Sequence, residues 1–147
     1  MIEPHIKLKV LGQTGYFTIF WSSLKKADKY EIIKTVPAVS GLFELYFQDY
    51  KKKLVLLYVA KAYYGGLQNE IRKRTDPSLE ENLTRRMILE EHDCYYRYAI
   101  SHSYSDLSDV MYFFSTTYFP ELGLHEHSGR FKEIYVKEVS PDKIIDI

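Results

Sequence analysis

Residues 41–74, GLFELYFQDYKKKLVLLYVAKAYYGGLQNEIRKR, constrain this chain more than any other stretch. Within them the apolar run 54–60 shows no polar alternation, the pattern of a central strand covered on both faces. Residues 41–47 read as its partner strand, and the charged segment 48–53 as the turn between them. Gly65 and Gly66 permit loop angles that other residues resist. Residues 67–74 then form a short basic helix, which Pro77 will not continue. A hairpin with an apolar strand, followed at once by a helix, calls for an α/β (α+β) fold: a small, mainly antiparallel sheet flanked by helices.

The rest of the chain supplies further elements. Ile6, Leu8 and Val10 alternate with Lys7 and Lys9, the period of a half-buried strand. Gly12 to Gly15 signal a turn, and 16–20 a returning strand. Residues 21–34 read as helical, with Ser22 or Ser23 as cap and Pro37 beyond the end. Ser78 and Glu81 have the spacing of a capping box, opening a helix to about Glu91 with Leu79, Leu83 and Met87 down one side. The aromatic, alternating segment 94–100 is a strand. Ser105 or Asp106 caps another helix, in which Leu107, Val110, Met111, Phe114 and Tyr118 fall at helical spacing before Pro120 stops it. Residues 131–139 are a last strand, positioned to pair with the N-terminal strand and close the fold. No repeat, low-complexity segment or linker interrupts residues 1–147, so one domain is expected.

Twenty basic and twenty acidic residues cancel, so no global field draws this protein onto nucleic acid and any basic patch must be local. Fourteen tyrosines and eight phenylalanines serve either a thick core or a stacking surface. The single cysteine, Cys94, excludes an intramolecular disulfide and fits a reducing compartment. The opening MIEPHIKLKV lacks a basic segment followed by an apolar one, and no apolar run reaches the ~20 residues of a membrane span, so a cytoplasmic location without membrane contact is expected.

Gly41-Leu42-Phe43, Tyr58-Val59-Ala60 followed by Lys61-Ala62, and a helix opening Leu67-Gln68-Asn69-Glu70-Ile71 together resemble the GIY-YIG nuclease domain. The resemblance covers residues 40–124, leaving 1–38 as an N-terminal extension and 125–147 as a C-terminal strand and tail. It implies a phosphodiester-cutting site: a tyrosine near the attacking water, an arginine forked onto phosphate, and a glutamate holding one divalent metal. Tyr58 keeps one tyrosine of that site. Phe43 stands where the other would be and lacks its hydroxyl, and Ala60 adds a methyl group where the family has glycine. Glu70 occupies the arginine position, and reversing a charge ~6 Å from a phosphate costs roughly 5 kcal/mol at an effective dielectric of ~20. Arg74, one turn on, shares the face of Glu70 and can replace the arginine, whereas Arg72 lies about 200° around the helix. Met111 falls at the metal glutamate, where Mg²⁺ needs hard oxygen ligands, and Asp109 points elsewhere. Gly123 replaces a closing asparagine. These departures together imply a degenerate, non-catalytic domain that binds DNA or RNA through Lys61, Arg72, Lys73 and Arg74.

Two other functions compete. An active Mg²⁺-dependent nuclease would use Tyr58, Arg74 and a carboxylate such as Asp109 or Glu121. A protein-interaction or self-associating module, with a homo-oligomer as its product, would use exposed tyrosines. Arg72, Lys73, Arg74, Arg85 and Arg86 make a candidate basic surface, diluted by Glu80, Glu81, Glu90 and Glu91. Lys51, Lys52 and Lys53 read as a solvated turn. His92-Asp93-Cys94 and His125-Glu126-His127 match no standard zinc spacing, and no metal or other cofactor is expected. Tyr95, Tyr96 and Tyr98 serve as core packing or as a stacking platform.

Overall fold

Apolar residues alternating with lysines build β1 (His5–Leu11), which turns through Gly12 at φ +61 into β2 (Thr14–Phe20). The computed structural model describes residues 3–120, 123 and 125–142. The chain continues through β3 (Lys25–Lys26), α1 (Lys29–Thr35), β4 (Gly41–Gln48), β5 (Leu54–Ala62) and α2 (Leu67–Arg74). A 3₁₀ turn at Pro77–Leu79, α3 (Leu83–Glu91), β6 (Cys94–Ile100), α4 (Tyr104–Thr117) and β7 (Glu133–Val139) follow. The strands form one sheet in the order β5-β4-β6-β1-β2-β7, with β3 also on β6. It is a mixed sheet: β1 meets β6, and β2 meets β7, in parallel, while the other pairings are antiparallel. The fold is α/β of the α+β kind.

Successive strand residues face opposite ways, so the sheet carries two cores. On one face Leu42, Val59 and Ala99 join Phe17, Ile19 and Trp21 beneath Leu107, Val110, Met111 and Phe114 of α4. On the other, Phe43, Leu45, Ala62, Tyr96 and Tyr98 pack against Ile32 and Val36 and against Leu67 and Ile71 of α2. The tyrosines of β6 are therefore mostly core: Tyr96 and Tyr98 are buried. Among the described residues, no helix is long and apolar enough to cross a membrane.

Several expectations need correction. The strand read as central, β5, is the sheet edge; its partner β4 lies between β5 and β6 and is the buried one. Helices cover both faces of the second half of β5, α4 over Val59 and α2 beside Tyr58 and Ala60, while Val55 in its first half is exposed. Residues 21–27 are not helical. They run along β6, where Ser22 N donates to Tyr98 O (2.8 Å) and Ala27 N to Cys94 O (2.7 Å). The Ser22 hydroxyl accepts from Tyr98 N, and Asp28 is the true cap of α1, accepting from Tyr30 N and Glu31 N.

Nor do Ser78 and Glu81 form a capping box. Ser78 closes onto Asp76, and α3 begins later with Asn82 accepting from Arg85 N. Glu80 holds this corner by accepting from Arg85 Nε (3.1 Å) and, through its carbonyl, from Arg86 Nε (2.9 Å). Both arginines are thus local staples. Leu79, Leu83 and Met87 face solvent, and α3 buries none of its residues. Ser103, not Ser105 or Asp106, caps α4, and Tyr118 lies exposed past its end. The last strand pairs with β2, the returning strand of the first hairpin.

Candidate functional site

The free edge of β5 gives access to both sheet faces at once. Tyr58 and Ala60 lean toward α2, while Val59 belongs to the core under α4. Arg74 of α2, Met111 of α4 and His125 of the following loop close around this edge. The result is a cleft of about 300 Å³ lined by Tyr58, Val59, Ala60, Lys61, Arg74, Met111 and His125.

Each cation is positioned by neutral or weakly competing partners. Lys61 Nζ donates to Tyr104 Oη (3.2 Å) and Ser108 Oγ (3.1 Å) and sits 4.3 Å from the Tyr104 ring centre. The Arg74 guanidinium lies 4.7 Å from the centre of the Tyr58 ring, which in turn stacks on buried Phe43 at 6.2 Å. Glu70 Oε2 is 3.8 Å from Arg74 Nε, a long, part-exposed pair of the kind that contributes little. Arg74 thus shares a face with Glu70 and reaches the cleft. Among its described lining residues there is no carboxylate. Glu70 lines the neighbouring hollow with Lys61, Tyr63, Tyr64 and Tyr104.

The N-terminal glycine of the motif has a packing reason. A Cβ on Gly41 would strike the carbonyl of Ala99 and come 2.7 Å from Leu67 Cδ1, so β4 meets β6 and α2 there only without a side chain. Gly66, the cap of α2, has φ +79 and ψ 160, a region open essentially to glycine alone.

Of the residues expected at the site, Tyr58, Lys61 and Arg74 converge. Arg72 and Lys73 do not line the cleft: Arg72 donates to Asn69 Oδ1 (3.2 Å), and Lys73 is exposed. Met111 lines the cleft where the resemblance puts a metal-binding glutamate. Asp109 is engaged elsewhere, fully buried, accepting from Ser128 N, Ser128 Oγ and Arg130. Glu121 lies outside the described residues. Lining donors that are cationic, phenolic or thioether do not fit Mg²⁺. His125 reached the cleft unannounced, because nothing in its loop sequence relates it to β5.

The other clusters stay apart. His92 Nδ1 lies 2.9 Å from Gln48 O, with its ring against Phe47 and Tyr50, while His127 packs on Tyr112. Burial pushes the Cys94 thiol up to about 11. Two larger hollows, of about 530 and 590 Å³, lack a pair of converging lysine or arginine side chains: the first sets Lys132 beside Glu133, and the second contains Glu3 and Asp106.

No curated protein and no solved structure matches this chain. A family model described as "Uncharacterised protein" matches residues 5–147, spanning the opening strands as well as β4 to α4, and the chain belongs to that family.

Proposed function

We propose that this protein is a non-catalytic GIY-YIG-like domain of the cytoplasm, and that its β5 cleft grips the phosphate backbone of DNA or RNA. The convergence of Lys61 and Arg74 on one concavity, with no carboxylate among its described lining residues, carries the reading. An ammonium and a guanidinium fork lining one cleft suit a phosphodiester, and Tyr58 and His125 can donate further hydrogen bonds. The antiparallel β5-β4-β6 core, with Gly41 on the central strand and Tyr58 on the edge, supports the resemblance. The departures at Phe43, Glu70 and Met111 support the loss of catalysis.

The test is fluorescence anisotropy with labelled duplex DNA and RNA across a salt series. Lys61→Ala and Arg74→Ala should each weaken binding and flatten the plot of log affinity against log salt by about one unit. Unchanged affinity in both variants would refute the cleft. Incubation with Mg²⁺ or Mn²⁺ should leave the labelled strands intact; cutting that vanishes in Tyr58→Phe would establish the nuclease alternative instead.

A further inference from the structure

Far from the β5 edge, the strands β1, β2 and β7 have only one face covered by described residues. Ile6, Leu8, Phe17, Ile19, Ile134 and Val136 contribute to the core under α4. The residues between them turn the other way, and their exposure shows that no described helix lies over them.

The register determines which side chains stand together on that open face. Lys9, Tyr16 and Tyr135 form one row across the three strands, and Lys7, Thr18 and Lys137 form the next. His5 and Phe20 begin the row after it. Rows two residues apart are separated by ~6.8 Å. The Tyr16 and Tyr135 rings stack at 5.5 Å and 19°, and those of His5 and Phe20 at 4.9 Å and 18°. Tyr16 and Tyr135 still keep 41% and 48% of their surface in solvent. Glu133 is the carboxylate at the far end, and it accepts from the Tyr135 hydroxyl at 2.9 Å.

We propose that this open face binds single-stranded nucleic acid, with bases stacking on the two aromatic pairs and phosphates meeting Lys7, Lys9 and Lys137. Charge selects the occupant. Protein interfaces are depleted of lysine at their centres, yet here Lys7 and Lys137 occupy the row between the aromatic pairs. Among the described strand residues of this face, three lysines stand against one carboxylate, an excess that favours a polyanion. Flat rings interleaved with cations suit unpaired bases, whose faces a duplex hides within its own stack. The surface is separate from the β5 cleft, which lies at the opposite end of the strand order, so either proposal can fail alone.

The experiment uses the full chain with fluorescein-labelled oligo-dT and oligo-U, alongside a duplex of equal length. Lys7→Glu and Lys137→Glu alter exposed side chains, and Tyr135→Leu keeps an apolar residue while removing the ring; circular dichroism confirms that each is folded. The charge reversals should lower single-strand affinity about tenfold or more with a shallower salt dependence. Tyr135→Leu should lower it by about tenfold with the salt dependence unchanged, and Lys51→Ala, in the exposed turn between β4 and β5, should alter it less than about twofold. No single-strand binding by the wild type would overturn the proposal. So would loss through Lys61→Ala with Lys7→Glu and Tyr135→Leu unaffected, a result that leaves the cleft reading intact. A wild-type dimer in sedimentation that Tyr135→Leu dissolves, with single-strand affinity unaltered, would make the face a self-interface and equally overturn it.

Discussion

Arg97 is a buried charge that holds another buried charge in place. It is buried beside Glu44, with Nε 2.6 Å from Glu44 Oε1, and its guanidinium lies 4.4 Å from the centre of the Trp21 ring. Tyr46 donates to the same carboxylate oxygen (2.6 Å), and Glu138 lies 3.6 Å from the guanidinium. Burial raises the Glu44 carboxyl above the usual carboxylate range, while Arg97 and the Tyr46 hydroxyl pull it back down. Arg97→Met removes the main restraint, so the carboxyl rises further and is left without a counter-charge. A carboxyl raised on folding holds its proton more tightly in the native state. The stability it allows is complete below the unfolded value and is lost as pH rises through the native one. Urea unfolding should therefore show a deficit of about 3–5 kcal/mol in this variant near pH 8, shrinking toward pH 5. Adding Glu44→Gln should flatten that dependence. A deficit equal at both pH values would sink the account.

At the scale of elements, the start of α1 is the sharpest test of local chemistry. Asp28→Ala leaves Tyr30 N and Glu31 N without their acceptor and should lower stability by about 1 kcal/mol, whereas Ser23→Ala should change it by less than about 0.5 kcal/mol. Chemical denaturation of the two variants checks this, and a larger effect at Ser23 would restore the longer helix. The sequence concealed this boundary because residues 21–27 mix apolar and polar side chains without a period, and only the neighbouring β6 fixes them as extended chain. By contrast, β6 and α2 were legible to the residue, since Cys94 and Ile100 bound an aromatic-rich run and Gly66 and Thr75 bracket the helix. The α3 stripe misled: Leu79, Leu83 and Met87 share a helical spacing, but nothing in a spacing says that a partner is present to cover it. For the site, Tyr58, Lys61 and Arg74 were readable because they lie within one hairpin-and-helix unit. The rows of lysine and tyrosine on β1, β2 and β7 were not, because their alignment depends on a parallel pairing between segments more than a hundred residues apart in the chain.

For the whole molecule, the question is whether the region that resembles a nuclease domain can stand alone. Residues 40–124 carry the resemblance, yet both cores draw on side chains outside them. Phe17, Ile19 and Trp21 complete the core under α4, and Ile32 and Val36 complete the one beside α2. Trp21 also binds the far end of the chain, its indole N–H donating to Glu138 (2.9 Å) and its backbone N–H to Val139 O (2.9 Å). Truncating one buried apolar residue costs about 2–5 kcal/mol, and a domain of this size has a total stability of only about 5–15 kcal/mol. Removing five such residues at once exceeds what the remainder can absorb. The fragment 40–124 should therefore show no cooperative thermal transition by far-ultraviolet circular dichroism. The intact chain should melt in one step, with the dichroism and the fluorescence of its single tryptophan changing together. A cooperative melt of the fragment would mean that the opening and closing strands are an addition to a self-sufficient core. Its absence would mean that β1, β2 and β7 are part of what makes the β5 cleft possible, since without them α4 and Met111 keep only Leu42, Val59 and Ala99 of that core beneath them.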